Sequence, residues 1–196
     1  IRYFENQIKN LKINLKLNHQ IDLDELEKFQ FDEIIFSTGI SPRKPKISGI
    51  EHDKVLSYEE LLTGKKVAGK KVAVIGAGGI GFDACEFLAH DPNHISTSLD
   101  KAAFFKEWGI DQEYQERGAV QNKVTPNSYR EITLMQRKET KPGKNLGKTT
   151  GWIHRTSLKD KGITNLTGVS YTKIDEKGIH YTQNNEDKIL NVDSIV

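Results

Sequence analysis

Residues 70–81 read Lys70-Lys71-Val72-Ala73-Val74-Ile75-Gly76-Ala77-Gly78-Gly79-Ile80-Gly81. The apolar run is typical of a buried strand, and its glycines follow the pattern G-x-G-x-x-G before apolar residues at helical spacing. In this pattern Gly76 allows a tight turn, Gly78 lets the backbone approach a pyrophosphate, and Gly81 lets helix and strand pack closely. The stretch therefore predicts a dinucleotide-binding turn, with the anion at the positive end of the helix.

Composition places the chain among globular proteins of one or two domains. Its 196 residues are 36% hydrophobic and 29% charged, and 29 basic against 27 acidic residues give a formal net charge of +2. Such balanced charge argues against nucleic-acid or membrane-surface partners. No apolar stretch approaches the roughly 18 residues of a membrane span, and no signal peptide is evident at the N-terminus, so we expect a cytoplasmic location. The single cysteine, Cys85, is expected to pack on the helix after the turn.

A second strand is predicted over 131–138, and its tip is the position that selects the nicotinamide cofactor. An acidic residue there would accept hydrogen bonds from the ribose hydroxyls of NADH, whereas arginine suits the 2′-phosphate of NADPH. The tip reads Gln136-Arg137-Lys138, and the nearest acid, Glu139, follows the two cations. We therefore predict that NADPH is preferred over NADH, the alternative being ordinary surface charge.

Positive charge continues beyond this tip. Residues 137–161 contain eight basic residues against Glu139 and Asp160, an excess of six positive charges. The two interpretations are a solvated face and an anion-binding surface. A P-loop is not among them, because only three residues separate Gly143 from Gly147 where that motif requires four. A helix starting near Lys148 is expected instead, with its N-terminus near the nucleotide.

The remaining segments suggest parts of two nucleotide-binding units. A helix is predicted near the N-terminus, then a strand over 13–17 and a buried strand over 31–36, followed by a proline-rich crossover. A capping box at Ser57 predicts a short helix, and 91–130 forms an insertion with a helix ending at Gly109. Residues 169–192 predict an antiparallel meander, and the last four residues resemble 32–35 as a weak internal repeat.

The predicted fold class is thus α/β, a Rossmann-like three-layer dinucleotide-binding domain with an antiparallel β-meander. Residues 65–196 form this NADPH-binding domain, lacking its last strand, with the insertion at about 91–130. Residues 1–64 form part of a second, FAD-binding Rossmann-like domain and the crossover. The chain starts at Ile1 and stops within an apparent strand, so we expect a piece of a longer protein.

Several motifs together resemble the bacterial NADPH-dependent 2,4-dienoyl-CoA reductases, and the Thr38-Gly39-x-x-Pro42 crossover is similar to that of flavoproteins with two dinucleotide-binding domains. The resemblance covers essentially the whole chain. It rests on the glycine turn with Phe82-Asp83, and on Lys106-Glu107-Trp108-Gly109-Ile110-Asp111, Gln136-Arg137-Lys138, Lys141-Pro142-Gly143 and Leu146-Gly147-Lys148-Thr149-Thr150-Gly151-Trp152-Ile153-His154-Arg155.

This resemblance implies an enzyme of unsaturated fatty acid β-oxidation. NADPH would supply hydride to FAD, and a 4Fe-4S cluster and FMN, both outside this chain, would carry electrons to the dienoyl-CoA substrate. By resemblance, Gly76, Gly78, Gly79, Ile80 and Gly81 would hold the NADPH pyrophosphate. Gln136, Arg137 and Lys138 would hold the ribose and its 2′-phosphate, and Thr38 and Gly39 would lie at the FAD-side crossover.

No catalytic residue is predicted within this chain, because the groups that protonate the substrate would lie in a barrel domain outside it. The chain alone is therefore expected to be inactive. The alternatives are a related NADH-dependent flavin enoate reductase or amine dehydrogenase, and a module that binds a dinucleotide without turnover. Metal ligands are not predicted, since Pro92 separates His90 from His94 and no third ligand is nearby.

Overall fold

The computed structural model describes residues 1–196, which divide into two compact units, Ile1–Ser41 and Pro42–Val196. The first unit contains two helices, α1 (Arg2–Asn10) and α2 (Leu23–Phe29), and neither has a buried residue. The predicted N-terminal helix is therefore confirmed. Asp22 caps α2 by accepting a hydrogen bond from the Glu25 backbone N–H at 2.8 Å.

The two strands predicted in the first unit are not formed. Residues 13–17 and 31–36 have no strand conformation, and the side chains of Ile35 and Phe36 are exposed. A strand needs neighbours for its backbone hydrogen bonds, and the first unit offers none. The weak repeat in sequence between residues 32–35 and 193–196 is therefore not a repeat in structure. Residues 32–35 are irregular, whereas the C-terminal segment contains a strand.

The second unit is built on a parallel sheet in the order β3-β2-β1-β7. Its strands are β1 (Lys71–Ile75), β2 (Glu131–Met135), β3 (Thr164–Leu166) and β7 (Ser194–Ile195). β1 pairs in parallel with β2 along its whole length and with β7 at two positions. The final residues thus supply an edge strand of this sheet, while the expectation that the domain lacks its last strand stays a prediction.

Helices cover one face of the parallel sheet and a meander covers the other. The helices that contribute to the cluster on this face are α3 (Tyr58–Leu62), α4 (Gly79–Ala89) and α6 (Gly151–Asp160), and the insertion contains a further helix, α5 (Lys101–Trp108). The meander consists of β4 (Ser170–Asp175), β5 (Gly178–Gln183) and β6 (Glu186–Leu190), paired antiparallel in that order. Because strand side chains alternate, Val72 and Val74 pack towards the helices and Ala73 packs towards the meander. The predicted three-layer α/β fold is confirmed.

Local sequence signals account for several element boundaries. Ser57 and Glu60 form the predicted capping box at the start of α3. Asp100 caps α5, and Gly109 ends it in the left-handed region with φ +66°. Cys85 is fully buried on α4, and burial raises the pKa of its thiol to about 12, so it packs as predicted and is not a reactive thiolate.

The insertion at 91–130 is tied to the helical face. Its helix α5 contributes the buried Glu107. The Glu107 carboxylate lies 3.7 Å from the ammonium of Lys161, the residue that follows α6. The same ammonium contacts Glu86 on α4. One half-buried cation therefore links three helices. Beyond α5, the Asp111 carboxylate accepts hydrogen bonds from the backbone N–H groups of Glu113 and Glu116 at 3.0 and 2.7 Å.

The division between the units falls at Ser41/Pro42, earlier than the predicted domain boundary. The segment 42–64 belongs to the second unit, where Ser48 bridges to Lys173 of the meander and Val55 bridges to Ile195 of the parallel sheet. Its assignment to an FAD-binding domain stays a prediction. No helix in the structure combines the length and the apolar character that crossing a membrane requires.

Candidate dinucleotide-binding site

The first glycine of the fingerprint makes the turn between β1 and α4. Gly76 has φ +114°, a conformation that other residues rarely adopt. Its N–H donates a hydrogen bond to the Met135 carbonyl at the end of β2, with a nitrogen–oxygen distance of 2.8 Å. The turn therefore lies beside the carboxyl end of β2, where ligands bind in open α/β sheets.

The start of α4 is open on the side of the turn. Gly78 is the N-cap residue and no side chain caps the helix. A Cβ atom added to Gly78 or Gly79 would meet nothing within 4 Å, and both residues are exposed together with Ile80. The N–H groups of the first turn lack intrahelical acceptors. Open space, free donors and a positive helix end fit the pyrophosphate of a dinucleotide.

Gly81 has the opposite environment. A Cβ atom there would lie 1.8 Å from the Gly76 carbonyl oxygen, so any side chain would push α4 off the turn. The nearest atom of β2 is a Leu134 methyl carbon at 3.6 Å. The predicted role of Gly81 is to let helix and strand pack closely. Its closest contact is with the backbone of Gly76, the residue that follows β1.

The tip of β2 lies next to the glycine turn, and hydrogen bonds of Gln136 hold it in a defined loop. The Gln136 N–H donates to the Leu166 carbonyl at 2.9 Å, and its side-chain amide donates to the carbonyls of Lys138 and Thr140. Gln136 therefore shapes the loop, and a contact of its side chain with the ribose stays a prediction. Arg137 and Lys138 are exposed and form no ion pair.

The tip of β2 carries two exposed cations followed by one exposed acid, Glu139. The only acid nearby in sequence, Glu139, packs beside Gly168, whose added Cβ would lie 3.2 Å from the Glu139 Cγ atom. The hydroxyl of Tyr171 on β4 is buried without a hydrogen-bond partner. Burial raises the pKa of Tyr171 to about 12, and the positive charge of Arg137 opposes this rise.

The structure adds residues that the sequence pattern did not identify. The N–H of Gly143 donates to the carbonyl of Ala77, inside the glycine turn, at 3.1 Å. Arg155 on α6 donates to the carbonyl of Gly143 at 3.1 Å. Both residues stand in motifs quoted above for the family resemblance, but those motifs do not indicate that Gly143 contacts the glycine turn or that Arg155 contacts Gly143.

The residues predicted for FAD lie in the first unit. Thr38 and Gly39 are exposed in an irregular segment, with Gly39 in the left-handed region at φ +78°. The first unit has no buried residue, so its residues form no enclosed site for a flavin. A role of Thr38 and Gly39 beside FAD stays a prediction. His90 and His94 lie at the end of α4 and in the following loop, as expected.

Comparison with known proteins agrees with this geometry. Residues 3–196 match the sequence pattern of the pyridine nucleotide-disulphide oxidoreductases. The chain belongs to this family. The pyridine nucleotide-disulphide oxidoreductase fold binds FAD and NAD(P), and the open turn at Gly76–Gly81 fits the dinucleotide.

Two proteins of similar sequence are reductases by name. A cinnamate reductase of Clostridium sporogenes is 32% identical over 96 residues, which are 49% of this chain and 14% of that protein. A metal reductase of Desulforamulus reducens is 21% identical over 198 residues, covering 99% of this chain and 28% of that protein. The chain therefore spans less than a third of either relative.

Solved structures support the fold. A 2-naphthoyl-CoA reductase in complex with 2-naphthoyl-CoA has a TM-score of 0.67 at 22% identity, over 99% of this chain and 24% of that chain. At this identity the likeness concerns the fold. It agrees with the α/β dinucleotide-binding fold that the family match indicates.

Proposed function

We propose that this chain is the NADPH-binding part of a flavoprotein reductase that reduces 2,4-dienoyl-CoA compounds in unsaturated fatty acid β-oxidation. The observation that carries the proposal is the placement of an open glycine turn next to a cationic strand tip. The Gly76 N–H bonds to the last residue of β2, and Arg137 and Lys138 follow two and three residues later. A dinucleotide with its pyrophosphate at the turn would place its adenosine ribose at this tip.

The charges at the tip favour NADPH over NADH. A carboxylate positioned there would repel a 2′-phosphate and accept hydrogen bonds from a free ribose. Here the positions carry a guanidinium and an ammonium that no carboxylate neutralises, and Glu139 packs towards Gly168. Arginine offers paired donors that match the oxygens of a phosphate group.

The chain's own residues bind and orient the cofactor. A bound nicotinamide supplies hydride, and the protein determines where its ring is held. The residues proposed to hold the pyrophosphate are Gly76, Gly78, Gly79, Ile80 and Gly81, and those proposed for the ribose and 2′-phosphate are Gln136, Arg137 and Lys138. We assign no catalytic residue to this chain.

The substrate class is supported by the motif resemblance and by the relatives. Cinnamate is a conjugated unsaturated acid and 2-naphthoyl-CoA is a conjugated thioester, so two similar proteins are named for conjugated carbonyl compounds. A dienoyl-CoA belongs to the same chemical class. FMN and a 4Fe-4S cluster are proposed for the longer protein, together with the domain that would bind the substrate.

The test is a calorimetric titration of the chain with NADP⁺ and with NAD⁺ at one moderate salt concentration. We expect NADP⁺ to bind at least about tenfold more tightly, which corresponds to about 1.4 kcal/mol. Equal affinities would contradict the NADPH assignment. The reaction itself is tested in the full-length protein, where oxidation of NADPH should require the dienoyl-CoA.

A second candidate is a flavin enoate reductase that uses a free acid and NADH. The name of the cinnamate reductase, at 32% identity, favours it. Cinnamate-dependent oxidation of NADH by the full-length protein, without activity on a dienoyl-CoA, would select this candidate.

A further inference from the structure

Two consecutive hydrogen bonds connect Arg155 on α6 to the glycine turn. The guanidinium of Arg155 donates from Nη1 to the Gly143 carbonyl at 3.1 Å. The N–H of Gly143 donates to the Ala77 carbonyl at 3.1 Å. Ala77 lies between Gly76 and Gly78, so a side chain on α6 is two hydrogen bonds away from the backbone that would face a pyrophosphate.

The start of α6 leaves room for the Arg155 side chain to extend to the Gly143 carbonyl. Gly151, the first residue of the helix, is buried, and an added Cβ would lie 3.2 Å from Arg155 Nη1 and 2.8 Å from the Leu146 Cβ atom. The half-buried Arg155 side chain passes across this position towards the Gly143 loop. It forms no ion pair with any carboxylate, so the Gly143 carbonyl is its observed protein partner.

Gly143 is itself held on both sides. It is buried with φ +68°, and an added Cβ would lie 2.8 Å from the Phe82 ring of α4 and 2.7 Å from a Leu146 methyl carbon. Its carbonyl also accepts the Leu146 N–H at 3.1 Å. The loop therefore has little freedom to move without shifting either α4 or the turn that precedes it.

We propose that Arg155 is a positioning residue that holds the pyrophosphate-binding turn through Gly143 and Ala77. This inference rests on the proposed dinucleotide function of the turn. The pyrophosphate is common to NADP⁺ and NAD⁺, so loss of Arg155 should weaken both cofactors by the same factor. Arg137, at the ribose end, should instead affect NADP⁺ selectively.

The experiment compares Arg155→Gln with Lys159→Gln, which removes an exposed charge one turn further along the same helix. Calorimetric titrations with NADP⁺ and NAD⁺ are expected to show both affinities reduced roughly tenfold in R155Q and unchanged in K159Q. A loss confined to NADP⁺, or no loss in R155Q while the wild-type chain binds, would overturn the inference.

Two further readouts separate positioning from a general effect of charge. Between about 0.05 and 0.5 M salt, the ratio of wild-type to R155Q affinity should stay constant, because a through-space attraction would be screened. In ³¹P NMR of bound NADP⁺, the diphosphate resonances should shift in R155Q while the 2′-phosphate resonance stays in place. A salt-dependent ratio or a shifted 2′-phosphate alone would argue against positioning.

A second variant keeps the inference testable if R155Q is unstable. Gly143→Ala disturbs the same connection from its other end, and should weaken both cofactors together. In a folded double variant the two losses should be less than additive, whereas full additivity would show that the residues act independently. Failure of the dinucleotide-binding function on which the inference rests looks different, since the wild-type chain would then bind neither NADP⁺ nor NAD⁺.

Discussion

Two glycines of the turn are required for different physical reasons. Gly76 needs the left-handed backbone that only glycine adopts easily, whereas Gly81 needs the absence of a side chain, because its Cβ would overlap the Gly76 carbonyl. Gly79, between them, has neither constraint, since its Cβ would meet nothing within 4 Å. The same residue type thus has separate roles within six positions, and substitutions can separate them.

Gly81→Ala is expected to lower the free energy of unfolding by roughly 1–3 kcal/mol, because the added methyl group overpacks the contact between α4 and the turn. Gly79→Ala is the matched control. It should be neutral or stabilising by up to about 1 kcal/mol, since alanine reduces the entropy of the unfolded chain at a compatible position. Urea unfolding of both variants measures this difference, and equal midpoints would contradict the crowding at Gly81.

The cations at the tip of β2 provide a second residue-level prediction. Replacing Arg137 and Lys138 by glutamine should weaken NADP⁺ binding by about 1.5–3 kcal/mol for each side chain that binds the 2′-phosphate, and should leave NAD⁺ binding nearly unchanged. Lys159→Gln, which removes an exposed charge near the far end of α6, serves as the control. Competition between the two cofactors in calorimetry measures the effect, and equal weakening of NADP⁺ and NAD⁺ would contradict the assignment.

The insertion shows how an irregular segment is held without a strand or a long helix. The Asp111 carboxylate accepts a backbone N–H bond from Glu116 and a second from Glu113, and these bonds, the first above all, hold the pKa of Asp111 below its usual value. The two ends of the segment 109–121 are also joined, since the Gly109 carbonyl accepts a hydrogen bond from the Gln121 N–H at 2.8 Å. A single carboxylate therefore organises the turn that follows α5.

A pH dependence follows from the lowered pKa of Asp111. A carboxyl group whose pKa is lower in the folded state contributes stability above its unfolded pKa of 3.8, and this contribution disappears as the pH falls through the folded value. Asp111→Asn should therefore melt below the wild type at pH 7. The difference should shrink progressively below pH 3.8. Thermal melts across this range measure it, and a pH-independent difference would contradict the electrostatic origin.

All buried residues of the molecule belong to residues 42–196. Most of the buried apolar side chains form two hydrophobic clusters, one on the helical face and one on the meander face of the parallel sheet. The first 41 residues bury no side chain. Cooperative stability and the candidate nucleotide site thus reside in the second unit.

A shortened chain of residues 42–196 is therefore expected to fold cooperatively and to bind NADP⁺ within about twofold of the affinity of the whole chain. Differential scanning calorimetry and the same titration test this prediction. A large fall in the melting midpoint, or loss of NADP⁺ binding, would show that the first 41 residues are needed by the second unit.

Short-range chemistry controls the features of this protein that could be predicted from its amino-acid sequence. The glycine turn, the capping box at Ser57, the cap at Gly109, the meander and the cationic tip of β2 could all be predicted, because each depends on conformational preferences or charges of neighbouring residues. The chemistry at Gln136, Arg137 and Lys138 was also visible as a short motif, although its contacts with a ribose remain predictions.

Features that depend on distant partners emerge only in the folded molecule. Residues 31–36 have the apolar composition of a strand but lack neighbours to pair with, whereas Ser194–Ile195 form a strand because β1 accepts them as an edge. The path from Arg155 through Gly143 to Ala77 joins segments far apart in the chain. Local sequence patterns do not encode such pairings, because a hydrogen bond or a packed contact exists only where folding brings both partners together.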